Sequence, residues 1–276
     1  MRIAVAFLSA SFVVSSGAAC TGRSTDPDSV EISADAAAPY AKKLESAVPV
    51  TDAAAFPVEA SVIGTDPATV LLEVPRVAAA FEPTGHFRVQ IWASAANTHT
   101  LLDANGRGAV PVNEARFLWG AGRLYVFFYA GDLDLQGHTT KHDGPVWDDD
   151  SVAFTFGDPD GAKRIVQISI SGVVADGICP ADAAGLSDTR CDLRWESGVR
   201  ARTDFDGTLN DIRDRDEEWA VEAAVPLASL GLGSSGAGTR IPFSIRRCEM
   251  AHDGPRSCGT WGERPRESGV LVLEGR

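Results

Sequence analysis

The chain has 276 residues, 44% of them apolar, and a formal net charge of −13. That is enough apolar material to bury a core in one large domain or two small ones. The acidic balance excludes nucleic acid as a partner, because such a surface repels phosphate backbones, and five His and two Met leave little for a metal or haem centre.

In chain order, Arg2 followed by the apolar run Ile3–Val14 reads as a secretory signal. The run is too short to span a bilayer as a mature helix. Ser15-Ser16-Gly17-Ala18-Ala19 then leads into Cys20, a pattern that resembles a bacterial lipobox. Residues 1–20 are therefore expected to be a signal peptide ending at a lipidated Cys20. The alternative is simple secretion after Ala19. Either way the chain is exported, to the cell envelope or outer membrane through a lipid anchor, or to the extracellular space. Residues 21–65, rich in Ala, Ser, Pro and Asp, cannot bury enough apolar surface to offset their ordering entropy and read as a flexible tether.

A domain is expected over 66–276. Val70-Leu71-Leu72 begins it. His86-Phe87-Arg88-Val89-Gln90-Ile91-Trp92 alternates polar and apolar, the period of a half-buried strand. Ala115–Trp119 and Arg123–Ala130, joined by Gly120-Ala121-Gly122, predict a hairpin with a three-residue connection. Further strands are predicted over Ser151–Phe156, Arg164–Ile170, Val199–Arg202, Glu218–Val225, Ile241–Arg247 and Val270–Leu273. Pro226–Leu230 reads as one helical turn. Many short strands and almost no helical period give an all-β antiparallel β-sandwich, with jelly-roll or immunoglobulin-like layers and few helical turns.

Beyond Cys20 the cysteines are Cys179, Cys191, Cys248 and Cys258. An even number in an exported chain suggests two disulfides. Three connectivities are open. The local one, Cys179–Cys191 with Cys248–Cys258, is favoured because each bridge would close a loop rich in turn residues.

Between Gly131 and Asp160 stand Asp132, Asp134, Asp143, Asp148, Asp149, Asp150, Asp158 and Asp160. Calcium takes six to eight oxygens and favours carboxylates, so Asp132, Asp134, Asp148 and Asp150 are candidate ligands for a structural Ca2+. The bland alternative is that they are solvated turn residues capping amides. His138 and His142 lie four apart in a polar loop without the Glu of a zinc motif. Gly231-Leu232-Gly233-Ser234-Ser235-Gly236 fits a dinucleotide fingerprint, but turn and strand follow it rather than a helix. Trp92, Trp119, Trp195 and Trp219 are assigned to structure. Trp147, between Gly-Pro-Val and three Asp, and Trp261, among Ser, Gly and Thr, look like loop residues open to a ligand.

The order of these features resembles the carbohydrate-binding modules of family 9. The pieces that carry it are Trp92 with Ala93 and Ala95, and Ala115–Trp119 leading to Leu124-Tyr125-Val126. Asp132-Leu133-Asp134, Val146–Val152 and Asp158-Pro159-Asp160 follow, then Trp219–Pro226, Trp261 and the closing Gly269–Leu273. The resemblance implies a sandwich that holds a terminal sugar between two indoles, here Trp147 and Trp261. It makes Arg247 a hydroxyl donor, includes Asp149 in the site, and permits calcium. The sequence departs from the family at Ala153, where a Glu is usual, and at Ser244, where an Asn is usual. The expected function is non-catalytic binding of a poly- or oligosaccharide, with no cofactor required. The alternatives are a surface structural or protein-interaction lipoprotein with a degenerate sugar site and, behind it, a glycoside hydrolase component.

Overall fold

A computed structural model describes residues 68–85, 89–108, 112–157, 161–252, 257–264 and 267–275. The signal segment with Cys20, the tether, residues 86–88, Asp158 and Asp160 lie outside the described residues. Two β-sheets face one another. The first runs in the order β1 (Ala68–Val74), β13 (Glu267–Leu273), β10 (Arg240–Glu249), β5 (Ser151–Gly157), β6 (Lys163–Ser169), β7 (Val174–Cys179). To it are added β11 (Ser257–Trp261), paired with β10, and β12 (Glu263–Arg264), paired with β13. The second sheet orders β2 (Ala96–Asn97), β3 (Asn113–Gly120), β4 (Arg123–Gly131), β9 (Glu218–Pro226) and β8 (Arg200–Asp206). Every pairing is antiparallel except β1 with β13. The all-β sandwich expected from the strand pattern is the fold observed. No helix among the described residues is long and apolar enough to cross a membrane.

Alternation along each strand builds the core. Val152, Phe154 and Phe156 of β5, Val166 and Ile168 of β6, and Ile241, Phe243 and Ile245 of β10 point inward. They meet Phe117, Val126, Phe128, Trp219 and Val221 of the second sheet. Burying a large apolar side chain contributes about 1.5–3 kcal/mol, so this shared layer is what holds the sheets together.

The second sheet is also covered on its outside. Leu118, Tyr125, Phe127, Ala220 and Ala224 form a separate buried cluster there with Trp92. Phe81 stacks on Tyr125 with ring centroids 4.1 Å apart, and Trp92 lies 5.6 Å from Phe127. This is why β4 reads as a continuous apolar run: it is buried on both faces. It also explains a correction. The strand expected over His86–Trp92 is instead, in its described part, a single helical turn, α1 (Val89–Trp92). The chain there crosses the sheet's outer face, so it turns Trp92 down onto Phe127 rather than pairing at an edge. Trp92, Trp119 and Trp219 are buried and Trp195 packs against the core, as their assignment to structure requires.

The β3–β4 hairpin is tighter than expected. Gly120 pairs with Arg123, leaving only Ala121 and Gly122 in the turn, with φ of +48° and +72°. Two successive positive φ values define the turn type whose twist matches a hairpin, and Asn-Gly suits it best. Ala121→Asn should raise stability by roughly 0.5–1 kcal/mol, read as a higher urea midpoint with an unchanged slope. Residues Pro226–Leu230 close as strand end and consecutive turns rather than as a helix.

Candidate functional site

The outer face of the first sheet carries a groove. Its floor is Ala153 and Thr155 of β5, Ile165 and Gln167 of β6, and Arg246 and Cys248 of β10. The strand register places these on one face: Ala153 sits opposite both Gln167 and Arg246, and Thr155 opposite Ile165. The volume is about 290 Å³, at the small end of ligand sites. Trp147 stands at its rim in a single 3-10 turn, Val146–Asp148, that follows Pro145. Val146 is fully buried against Ile165, Ala175 and Leu186 and anchors that turn, while the adjoining indole is left half-buried.

Residues Ala184–Ser187 form a wall. They belong to the loop closed by the Cys179–Cys191 disulfide, and Cys248–Cys258 joins β10 to β11 directly beside the groove. The pairing is therefore the local one favoured from the sequence. Arg246 spans the groove, donating to the Ala184 carbonyl at 2.7 Å and to Glu263 Oε1 at 2.7 Å. Gln167 donates through Nε2 to Ser151 Oγ at 2.9 Å. The guanidinium is thus held in place before any ligand arrives.

The residues singled out from the sequence fall in three places. Trp147 lines the groove. Trp261 does not: it pairs in register with the buried Ile245 and packs against the core, 6.4 Å from Phe243. The two indoles expected to face one another lie on opposite faces of the sheet. Arg247 is also on the core face, 2% exposed, with its guanidinium held by Asp132 and by Glu249 at 2.7 Å. Its neighbour Arg246 is the arginine that faces the groove. The signal was available, since Phe243, Ile245 and Arg247 share a period-2 face and Ser244 and Arg246 share the other.

Asp149 and the calcium candidates hold loops. Asp149 is 1% exposed and accepts from the His138 amide at 2.9 Å, the Thr139 amide at 3.1 Å and Ser169 Oγ at 2.6 Å. Asp150 accepts from the Gln136 and Met250 amides, each at 2.7 Å. Burial, reinforced by the charge of Asp132, pushes the Asp150 carboxyl up to about 8, and burial lifts Asp132 to about 6 against the pull of Arg247. Asp134 accepts from the Gln136 side chain and from the His252 amide, while Asp148 is exposed. A hard cation needs free converging oxygens. Here the buried oxygens are already taken by amides, and a guanidinium sits on Asp132, so this set does not fit Ca2+.

No family model and no curated protein matches the chain. Solved structures do. A Bacteroides uniformis protein, provisionally assigned as carbohydrate-binding, superposes with a TM-score of 0.54 at 14% identity, covering 74% of this chain and 99% of its own. A carbohydrate-binding module of family 9 from Caldicellulosiruptor kristjanssonii, in complex with glucose, superposes at 0.50 with 15% identity, covering 74% of this chain and 96% of its own. At these identities the shared property is the fold.

Proposed function

We propose that this chain binds a saccharide end in the outer-face groove, with Trp147 as the stacking platform, and does no chemistry on it. The observation that carries this reading is the juxtaposition, in one groove, of the Trp147 indole with Arg246, Glu263, Gln167 and Thr155. A pyranose presents a C–H face that lies on an aromatic ring and an edge of hydroxyls that need fixed donors and acceptors. Arg246 supplies donors, Glu263 accepts, and Gln167 does both. That the same fold holds glucose in a family 9 module supports the choice of ligand. Arg246 takes the donor role expected of Arg247. Small Ala153 leaves space in the floor where a larger residue would crowd the ring.

Glycoside hydrolysis needs two carboxylates flanking the bond. Among the described lining residues the groove has one, Glu263, and Arg246 already neutralises it. This favours binding over catalysis. Two disulfides suit an oxidising compartment, which supports the exported reading.

The test is titration calorimetry of the purified chain against a panel of mono- and oligosaccharides, glucose included. One sugar class should bind, and Trp147→Ala should weaken it by at least ~30-fold, the effect of losing an aromatic anchor worth 2 kcal/mol or more. Folded protein that gives no heat with any sugar would overturn the proposal and favour a protein-interaction role for this face.

A further inference from the structure

We infer that His142, Asp143 and Asp176 form a binding site for a divalent transition-metal ion of the zinc class, with Glu196 beside the imidazole. The inference is independent of what the groove binds.

The residues come from three separate segments. His142 and Asp143 lie in the turn Lys141–Gly144, which the Gly144 amide closes onto the Lys141 carbonyl at 2.9 Å. Asp143 is held there with φ of +56°, and its amide donates to the Val174 carbonyl at 3.0 Å. Asp176 is in β7, and Glu196 precedes β8. One donor atom from each of His142, Asp143 and Asp176 lies within 4.8 Å of the others. His142 Nε2 is 3.6 Å from Asp143 Oδ2 and 3.1 Å from Glu196 Oε2. Ligands bonded to zinc at about 2.1 Å in a tetrahedron stand about 3.4 Å apart, so this spacing brackets the required one.

The second observation is Asp176 itself. It is 1% exposed. Its Oδ2 accepts from both the amide and the hydroxyl of Ser197, while Oδ1 is buried and has no hydrogen-bond partner. A buried carboxylate oxygen left unpaired is costly, and native structures rarely tolerate one without an ion or water. With Oδ2 occupied, Oδ1 is the oxygen left to take a cation beside His142 and Asp143.

The donor set decides which cation. One imidazole with carboxylates selects a borderline ion such as Zn2+ over Ca2+ or Mg2+, which prefer all-oxygen shells. Three donors cluster around the site, and the exposed Glu196 stands beside the imidazole at 3.1 Å. Such an ion would tie the turn before Trp147 to β7.

The experiment is calorimetric titration of chelator-treated full-length protein with Zn2+ alone, beside thermal unfolding. One equivalent should bind, and a hundredfold excess over Kd should raise the unfolding midpoint by roughly 5–10 °C, with no rise from Ca2+ at the same concentration. His142→Ala, at an exposed position, and Asp143→Asn, which keeps the turn's backbone preference, should each weaken Zn2+ at least tenfold. Both should leave the metal-free midpoint within about 2 °C, the range of ordinary surface changes. His138→Ala should change nothing. Absence of one-to-one binding, a loss of affinity in His138→Ala, or undiminished affinity in both His142→Ala and Asp143→Asn would overturn the site.

Discussion

Arg247→Ala is expected to lower the unfolding free energy by about 3–5 kcal/mol, while Arg246→Ala, one residue earlier, costs about 1 kcal/mol or less. The difference is the face of β10 on which each stands. Arg247 and Asp132 are 2% and 0% exposed in their side chains. Truncating the arginine leaves a carboxylate in the interior with the Glu249 charge close enough to raise it further. Asp132 already titrates near 6 because burial outweighs the arginine. Without that arginine it protonates more readily, which holds the loss toward the lower end of the range at neutral pH. Arg246 and Glu263 are about a third exposed, 32% and 30%, and water screens their attraction. Urea denaturation of the two variants reads the contrast directly. In calorimetry the order reverses: Arg246→Ala should lose the saccharide, while Arg247→Ala, where folded, should keep it. A larger stability loss in Arg246→Ala would mean that the strand's faces are assigned the wrong way round.

That pair also shows what was legible in the sequence. The central strands were readable, because β3, β4, β5, β6, β9 and β10 each carry an alternating or doubly buried apolar pattern, whereas β2, β7, β11 and β12 were not read from the sequence. The local disulfides were readable from spacing and turn composition. Facing was harder. Within β10 the alternation Phe243, Ile245, Arg247 marks the core side, and weighing it would have moved the candidate donor to Arg246. For Trp261 no such internal signal exists. Its side is set by the register Ile245↔Trp261 between β11 and β10, a long-range pairing that composition does not encode. The groove's wall, Ala184–Ser187, belongs to a loop without period, positioned by a disulfide. Gln167 and Thr155 looked like the solvent face of ordinary strands. The aspartates were visible as a cluster, but their partners are backbone amides of distant loops, so their role as clamps rather than ligands appears only in three dimensions. The misread strand before Trp92 has the same origin. A short alternating segment fits a sheet edge and a sheet face equally well.

That crossing segment rests on one carboxylate. Glu222 interrupts the small apolar outer face of β9, between Ala220 and Ala224, and is 1% exposed. It accepts from Trp92 Nε1 at 2.9 Å, from the Thr84 amide at 2.7 Å and hydroxyl at 3.1 Å, and from the Gly85 amide at 3.3 Å. A charged acceptor that collects several donors, among them the indole N–H and the Thr84 amide, makes each bond stronger than a neutral one. Glu222→Ala should cost about 3–5 kcal/mol, because the indole and at least one amide are left buried without an acceptor at about 1–3 kcal/mol each. Glu222→Gln should cost less, about 1–3 kcal/mol: one oxygen still accepts, while the new amide N–H meets donors it cannot satisfy. Chemical denaturation followed by tryptophan fluorescence measures both, and near-ultraviolet circular dichroism reports whether Trp92 keeps its place. The position lies on the other sheet from the groove, so saccharide affinity of the folded Glu222→Gln variant should stay within about twofold, as additivity between separate sites requires. If Glu222→Ala cost under about 1 kcal/mol, water would be replacing the carboxylate. The segment would then be held by the Phe81–Tyr125 stack and the Trp92–Phe127 contact, and the outer cluster rather than the polar anchor would be what keeps the chain across this face.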